Sequence, residues 1–417
     1  MNELSIGTPG WMRLDKTRAV MAALEAVGGA GCARFVGGCV RNTLTGHPVA
    51  DIDIATVLEP PVVIAALEAA GLKAVPTGVD HGTVTAVSGG KPYEITTLRR
   101  DVETDGRRAV VAFTTDWAED AQRRDFRLNA LYADAQGTIF DPTGEGMADA
   151  KAGRIVFVGD AETRILEDAL RILRFFRFQA WYGQGEPDAV ALAACEGLRD
   201  RLTGLSAERV SSELLKILAA DDPRTVVRLM AATGILPLIL PLARGISRFE
   251  ALVAIETEQL FTCDAELRLA ALLPDDPASG AETAQALRLS NALRDRLVAA
   301  LGTEPRIVSW LSPRETRRAV YRLGAAAFCD RVMLAWAASP RPAAGVQWRA
   351  LLPMAQSWPR PALPLTGDEV VAAGVPRGPL VGQVMREVEA WWIDHDFIDD
   401  KLSVVERLKA VAQGMAY

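Results

Sequence analysis

Phe35-Val36-Gly37-Gly38-Cys39-Val40-Arg41-Asn42 leads, ten residues after its arginine, to Asp51-Ile52-Asp53-Ile54-Ala55-Thr56. The second stretch alternates acidic and apolar residues, as a strand with one polar face does. Side chains alternate along a strand, so Asp51 and Asp53 project from the same face. Two carboxylates so placed can share a pair of divalent cations roughly 3.5–4 Å apart, which activate an attacking hydroxyl and steady a leaving oxygen in phosphoryl transfer. Mg²⁺ suits such a site, because it accepts a few carboxylates and completes its shell with substrate phosphate. Gly37-Gly38, just ahead of a short helix, lets backbone N–H groups approach a triphosphate closely. Arg41, in the first turn of that helix, has a fork that could hold phosphate oxygens. An Asp-x-Asp strand alone is usually a solvated edge, and Gly-Gly alone is usually a turn. Their order and spacing select the catalytic reading.

Working outward, the first 140 residues or so read as a small α/β unit. Helical pattern covers Thr17–Val27 and Pro61–Ala70. Ala33–Val36, Val75–Val87 and Tyr93–Leu98 are rich in β-branched and apolar residues and read as strands. Arg99–Arg108, polar with one glycine, is expected to be a mobile loop. From about Glu162 the strand signals nearly vanish. Glu162–Trp181, Ala207–Ala219, Arg224–Thr233 and Phe249–Glu256 carry helical periodicity, with Ser206 a plausible N-cap. The expected fold is therefore α+β, a mixed sheet with helices followed by an all-α remainder.

Composition narrows the class. The chain has 417 residues, 49% hydrophobic and 24% charged, the balance of an ordinary globular protein. No apolar run reaches a membrane span, and Met1–Met12 lacks the order of a secretory signal. Five cysteines without a CxxC pair read as reduced thiols in a cytoplasmic protein. The net charge of -7 is uneven: Ala286–Arg360 holds twelve arginines against Asp295, Glu304, Glu315 and Asp330, a balance of +8 that leaves -15 for the rest. Such asymmetry suggests one basic surface, and a set of solvated helix faces is the plainer alternative.

With its glycine turn and carboxylate strand, the sequence resembles the class II CCA-adding enzymes and bacterial poly(A) polymerases of the polymerase-beta-like nucleotidyltransferase superfamily. That family often has Asp where Asn42 stands here. The resemblance implies a polymerase-beta-like head over 1–145, a helical neck over 146–235 that holds a nucleotide-selecting helix, and a helical body and tail over 236–417 that bind tRNA. The implied reaction is template-independent addition of C, C and A to the 3′ end of tRNA from CTP and ATP, with poly(A) synthesis, or addition of CC or A alone, as alternatives. No membrane and no protein partner are expected.

Further motifs extend the resemblance. Tyr93-Glu94-Ile95 offers Glu94 as a third carboxylate beside the metals, while His81 reads as structural. Arg123-Arg124-Asp125-Phe126-Arg127-Leu128-Asn129-Ala130-Leu131 resembles the family's RRDxxxNAL motif. It supplies cations for phosphate in Arg123 and Arg124, with Asp125 and Asn129 able to bond ribose hydroxyls. Asp141–Gly146 is read as a linker without chemistry. In Glu167-Asp168-Ala169-Leu170-Arg171, Asp168 and Arg171 lie three apart on the expected helix and so share a face. A carboxylate beside a guanidinium presents acceptors and donors in one plane, as a base-pairing partner does. The likeness to the family's EDxxR motif implies that this pair selects the incoming base, with Arg174 and Arg177 contacting the nucleotide. The arginines from Arg288 to Arg360 would bind RNA phosphates. His395-Asp396 lacks the further histidines that metal-dependent phosphohydrolases need, so that chemistry is rejected.

Overall fold

The computed structural model describes residues 5–105, 108–339, 344–398 and 400–414. They form two compact units, Met1–Pro241 and Leu242–Tyr417.

The first unit carries a sheet of β1 (Ala33–Val36), β2 (Asp53–Thr56), β3 (Lys73–Gly78), β4 (Thr83–Ser88), β5 (Lys91–Thr97), β8 (Tyr132–Ala133) and β9 (Ile139–Phe140), in the order β3-β4-β5-β2-β1-β8-β9. The β2–β5 pair is parallel and the other neighbours antiparallel, so the sheet is mixed as expected. Helices α1 (Gly10–Arg13), α2 (Asp15–Gly28), α3 (Gly38–Thr45), α4 (Pro60–Ala69), α5 (Trp117–Gln122) and α6 (Gly146–Ala152) accompany it. Val20 and Leu24, four apart on α2, are fully buried, and Thr17 of the same helix shares a 2.9 Å hydrogen bond with the buried Tyr93 hydroxyl on β5. Six further helices complete the unit: α7 (Ala161–Glu167), α8 (Leu170–Tyr182), α9 (Ala189–Gly197), α10 (Ala207–Leu218), α11 (Arg224–Ala232) and α12 (Ile235–Ile239). On α10, Val210, Leu214, Ile217 and Leu218 are buried at helical spacing. Ser206 stands at the N-cap of α10, but its hydroxyl makes no capping bond. The Phe157 and Phe178 rings lie with centroids 4.8 and 5.0 Å from that of Phe126, a contact that packs α8 against the segments carrying Phe126 and Phe157.

Three expectations need correction. The strand over Val75–Val87 is interrupted by a 3₁₀ turn, Val79–His81, closed by Gly82 at φ +81°. A side chain at Gly82 would meet the Phe113 ring at 2.8 Å, so both backbone and space demand glycine. The carbonyl of His81, rather than its ring, is engaged, accepting from Arg99. The loop over Arg99–Arg108 is instead one arm of a hairpin, β6 (Arg99–Asp105) on β7 (Arg108–Phe113), with Gly106 and Arg107 outside the described residues. Main-chain ladder bonds hold such a hairpin whatever the polarity of its side chains. Finally, the helix over Glu162–Trp181 is two helices. Asp168 is extended at φ -154° and ψ 104°, and its carboxylate accepts from Leu170 N–H at 3.1 Å, which opens α8 afresh.

The second unit is all helical: α13 (Ser247–Glu258), α14 (Ala265–Leu272), α15 (Pro277–Ala286), α16 (Asn291–Ala300), α17 (Pro313–Leu323), α18 (Ala325–Ala338), α19 (Gly345–Ser357), α20 (Gly367–Ala372), α21 (Pro379–Asp394) and α22 (Lys401–Gly414). Val370, Val384, Val388, Trp392, Val404 and Leu408 make a buried core among α20, α21 and α22. His395 stacks on Trp391 at 4.3 Å and Asp396 pairs with Arg317, so both members of the rejected His-Asp motif serve packing. No helix among the described residues is long and apolar enough to cross a membrane.

Candidate active site

The site is built where β1 meets β2. Val36 pairs with Asp53, so the Gly37-Gly38 turn leaves β1 directly beside the carboxylate strand. Ile52 and Ile54 are buried while Asp51 and Asp53 face outward, the alternation that a strand requires, although the ladder begins only at Asp53. Parallel pairing sets Asp53 opposite Glu94, which brings a third carboxylate to the same face. The consequence is electrostatic. Burial, then Glu94 and Asp51, push the Asp53 carboxyl up to about 6, against the pull of Arg124 and Arg41. Three crowded carboxylates favour a hard cation, and oxygen donors are what a small divalent ion takes. Among the described residues no three His, Cys, Asp or Glu side chains are grouped closely enough to hold a metal ion by themselves.

Across the turn lies a guanidinium pole. Gly37 has φ +67° and caps α3, with its amide donating to Leu131 O at 3.1 Å. A side chain there would be strained, and it would stand 3.8 Å from Arg124 Nη1, so Arg124 reaches the glycine turn. Its other nitrogens are anchored: Nη2 and Nε donate to Asp120 at 2.9 and 3.2 Å, and Nε also approaches the Tyr132 hydroxyl at 3.2 Å. Arg123 takes the second oxygen of Asp120 at 2.7 Å. Asp120 is 1% exposed; burial opposes its charge, but Arg124 and Arg123 hold its carboxyl down at about 2. Asp120 was not singled out in the sequence, although its spacing of three and four from the two arginines, which follow directly on α5, was a usable signal.

Arg41, expected as a phosphate ligand, has partners within the chain. It is buried and makes four hydrogen bonds, to Asn129, twice to Asn42 (2.8 and 3.1 Å) and to the Tyr182 hydroxyl at 2.9 Å, with its guanidinium 4.2 Å from the Tyr182 ring centroid. It thereby fastens α3 to α8. Asn42 is also engaged, donating to Pro48 O at 2.7 Å. Asp125 and Asn129 are partnered as well. Asp125 accepts from Asn129 at 3.0 Å, from Phe126 N–H at 2.8 Å and from Arg174 Nε at 2.8 Å. Burial resists the charge on Asp125, but Arg174 and these donors outweigh it and hold the carboxyl at about 2. Arg177 pairs with the buried Glu213 at 2.8 Å.

The helix break takes Asp168 off the helix that carries Arg171, so the two do not share a helix face as expected. Asp168 pairs with Arg209 of α10 at 2.7 Å, and Arg171 pairs with Glu167 at 2.5 Å while donating to Arg123 O at 3.0 Å. The two stay neighbours through the backbone, Arg171 N–H donating to Asp168 O at 3.0 Å. Arg209, Glu213 and Tyr182 lie 41, 36 and 141 residues from their partners, so local pattern held no sign of them.

Residues 33–156 match the family described as Poly A polymerase head domain, and residues 186–245 match that described as probable RNA and SrmB-binding site of polymerase A. The CCA-adding enzyme of Latilactobacillus sakei is 31% identical over 370 residues, covering 88% of this chain and 91% of that one. The chain belongs to the CCA-adding enzyme family. The mitochondrial CCA tRNA nucleotidyltransferase 1 of Mus musculus is 41% identical over 223 residues, so the chain spans about half, 50%, of that relative's length. A solved family structure, the Bacillus stearothermophilus CCA-adding enzyme in complex with CTP, superposes with TM-score 0.78 at 27% identity, covering 96% of this chain and 98% of that one. The family's head match takes in every strand of the sheet and the hairpin, with the carboxylate face and the glycine turn. Membership in a nucleotidyltransferase family carries a general dependence on divalent metal.

Proposed function

We propose that this chain adds C, C and A to the 3′ end of tRNA from CTP and ATP without a nucleic-acid template, releasing pyrophosphate. One observation carries the reading: three carboxylates and a phosphate-approachable glycine turn share one edge of a family head domain. In this reading the head covers 1–145, the neck 146–235, and the body with tail 236–417. Asp51 and Asp53, with Glu94 beside them, hold Mg²⁺, whose chemistry when bound is to lower the charge cost of in-line nucleotidyl transfer. The Gly37-Gly38 turn, through the Gly38 amide, and Arg124 orient the triphosphate so that pyrophosphate departs away from the carboxylates. Arg123 steadies Arg124 through Asp120, and Arg41, Asn129, Asp125 and Arg174 fix α8 against the turn. Asp168 and Arg171 read the edge of the incoming base, while Arg177 and Glu213 brace the same helix. Rate enhancement comes from position and fixed charge rather than covalent chemistry. The unpaired state of all five cysteines suits a reducing, cytoplasmic compartment.

The decisive experiment incubates tRNA lacking its last three nucleotides with CTP and ATP and sequences the 3′ end. Restoration of CCA and nothing longer supports the reading. The description of the matched head domain keeps poly(A) synthesis as the second reading, which long adenosine tails on any RNA 3′ end would establish.

A further inference from the structure

The second unit contains a cavity of about 330 Å³ where the connection from α16 to α17 faces α18. Arg331, on α18, lines it and is only 5% exposed. Its Nη1 donates to the Glu304 carbonyl at 2.8 Å, and its buried Nε has no acceptor among the described residues. Glu304 and Asp275 are near enough to favour its charge, yet neither forms an ion pair with it; the Asp275 carboxylate is taken by Arg248. A guanidinium buried with so little compensation is costly, and proteins pair such charges or neutralise them. Arginine cannot neutralise itself by losing a proton at ordinary pH.

The wall carries two carboxylates, Asp275, which Arg248 neutralises, and Glu304, against the guanidinium groups of Arg331 and Arg306. Gly302 lines the cavity beside the guanidinium, and a side chain there would lie 2.3 Å from Arg331 Nη2. Arg306 and Thr303, both exposed, add a second cation and a hydroxyl at the wall, while Ile307 and Leu334 supply apolar surface. The volume is at the lower end of the range for small-ligand pockets.

We propose that this cavity binds a phosphate group, with Arg331 as its buried anchor and Arg306 as the second cation. A phosphate dianion matches two guanidinium groups in charge and accepts from several donors at once, which a carboxylate does less well. The group is carried either by a small phosphate monoester or by an RNA backbone. This inference does not depend on the head's chemistry, and its test reads binding rather than turnover.

Calorimetry of the full chain with inorganic phosphate and with glycerol 3-phosphate, beside acetate, tests it. Phosphate binding that Arg306→Gln weakens roughly ten-fold, the loss expected of a charge-assisted hydrogen bond, supports the site. Arg331→Met should abolish that binding while unfolding, in phosphate-free buffer, at the same temperature as the parent or higher, because it removes an uncompensated buried charge. The sources separate in a tRNA titration. An RNA occupant makes Arg306→Gln weaken tRNA and reduce the salt slope by about 1, whereas a small monoester leaves tRNA affinity unchanged and binds tighter than phosphate itself. Binding that survives undiminished in both variants lies elsewhere and overturns the proposal, as does equal affinity for acetate, or no phosphate binding by the parent.

Discussion

Asp53 shows how much one position can concentrate. It faces Val36 across one ladder and Glu94 across the other, so it sits where the carboxylate face and the glycine turn meet. Asp53→Ala is expected to cut nucleotide incorporation by at least 10²–10³-fold, roughly the loss seen when a preorganised electrostatic stabiliser is removed, with tRNA affinity nearly unchanged. Turnover within ten-fold of the parent in a single-turnover assay would remove the metal role. Asp120 and Asp125 make a different prediction, because each is held at about 2, below the ordinary 3.8. A carboxyl depressed in the folded state contributes stability that is fully present above the unfolded value. That stability is lost as pH falls from about 4 towards 2, on the order of 2 kcal/mol for each group. Denaturant titrations across that window should show the parent weakening faster with acid than Asp125→Asn. Parallel curves would mean that Asp125 is not the buried, ion-paired group described.

At the scale of elements, a helix signal and a helix break compete over residues 161–182. Apolar periodicity runs through both α7 and α8, where Ile165, Ile172, Leu173 and Phe176 are buried and Ala169 stays partly exposed. It could not show that Asp168 satisfies the first amide of α8 and so ends one helix and starts the next. The break sets the side chains proposed to read the base, turning Asp168 to Arg209 and Arg171 to Glu167. Replacing Asp168 or Arg171 with alanine should lower the CTP-over-ATP discrimination at the first added position by about ten-fold, more than it lowers kcat; one lost hydrogen bond to a base edge has that size. Unchanged discrimination, measured with the nucleotides in competition, would detach these residues from base selection. Gly37→Ala tests the turn. At φ +67° and ψ -117° the added methyl costs about 1–3 kcal/mol of backbone strain, and the expected signature is a raised KM for nucleotide with little change in the far-ultraviolet helix signal.

Across the whole molecule, the arginine-rich tract reads differently in space than in sequence. Arg296 lies among Asp264, Glu266 and Asp330 at 2.5, 2.9 and 2.9 Å, and Arg317 and Arg318 pair with Asp396 and Asp394. Four of those acids stand outside the window of twelve arginines, so part of the local excess is neutralised by folding. Arg296→Ala should therefore destabilise the helical unit, by about 2 kcal/mol after discounting for its partial exposure, and leave the salt dependence of tRNA binding unaltered. A drop in salt slope without a fall in unfolding temperature would show that Arg296 serves RNA instead.

The chain by itself determined whatever depends on near neighbours. A period of two fixed which side Asp51 and Asp53 face, and a period of 3.6 fixed the buried stripes of α8 and α10. The spacing of Gly37, Gly38 and Arg41 from Asp53 matched a family motif, but it was the pairing of β1 with β2 that set the turn beside the carboxylates. Only the tertiary structure decided who satisfies whom. Arg41 answers to Tyr182, Asp168 to Arg209 and Arg177 to Glu213, across 141, 41 and 36 residues, and Arg331 is buried with no carboxylate paired to it among the described residues. The physical reason is that a buried charge must find its partner in space, and the distance along the chain sets no limit on where that partner comes from.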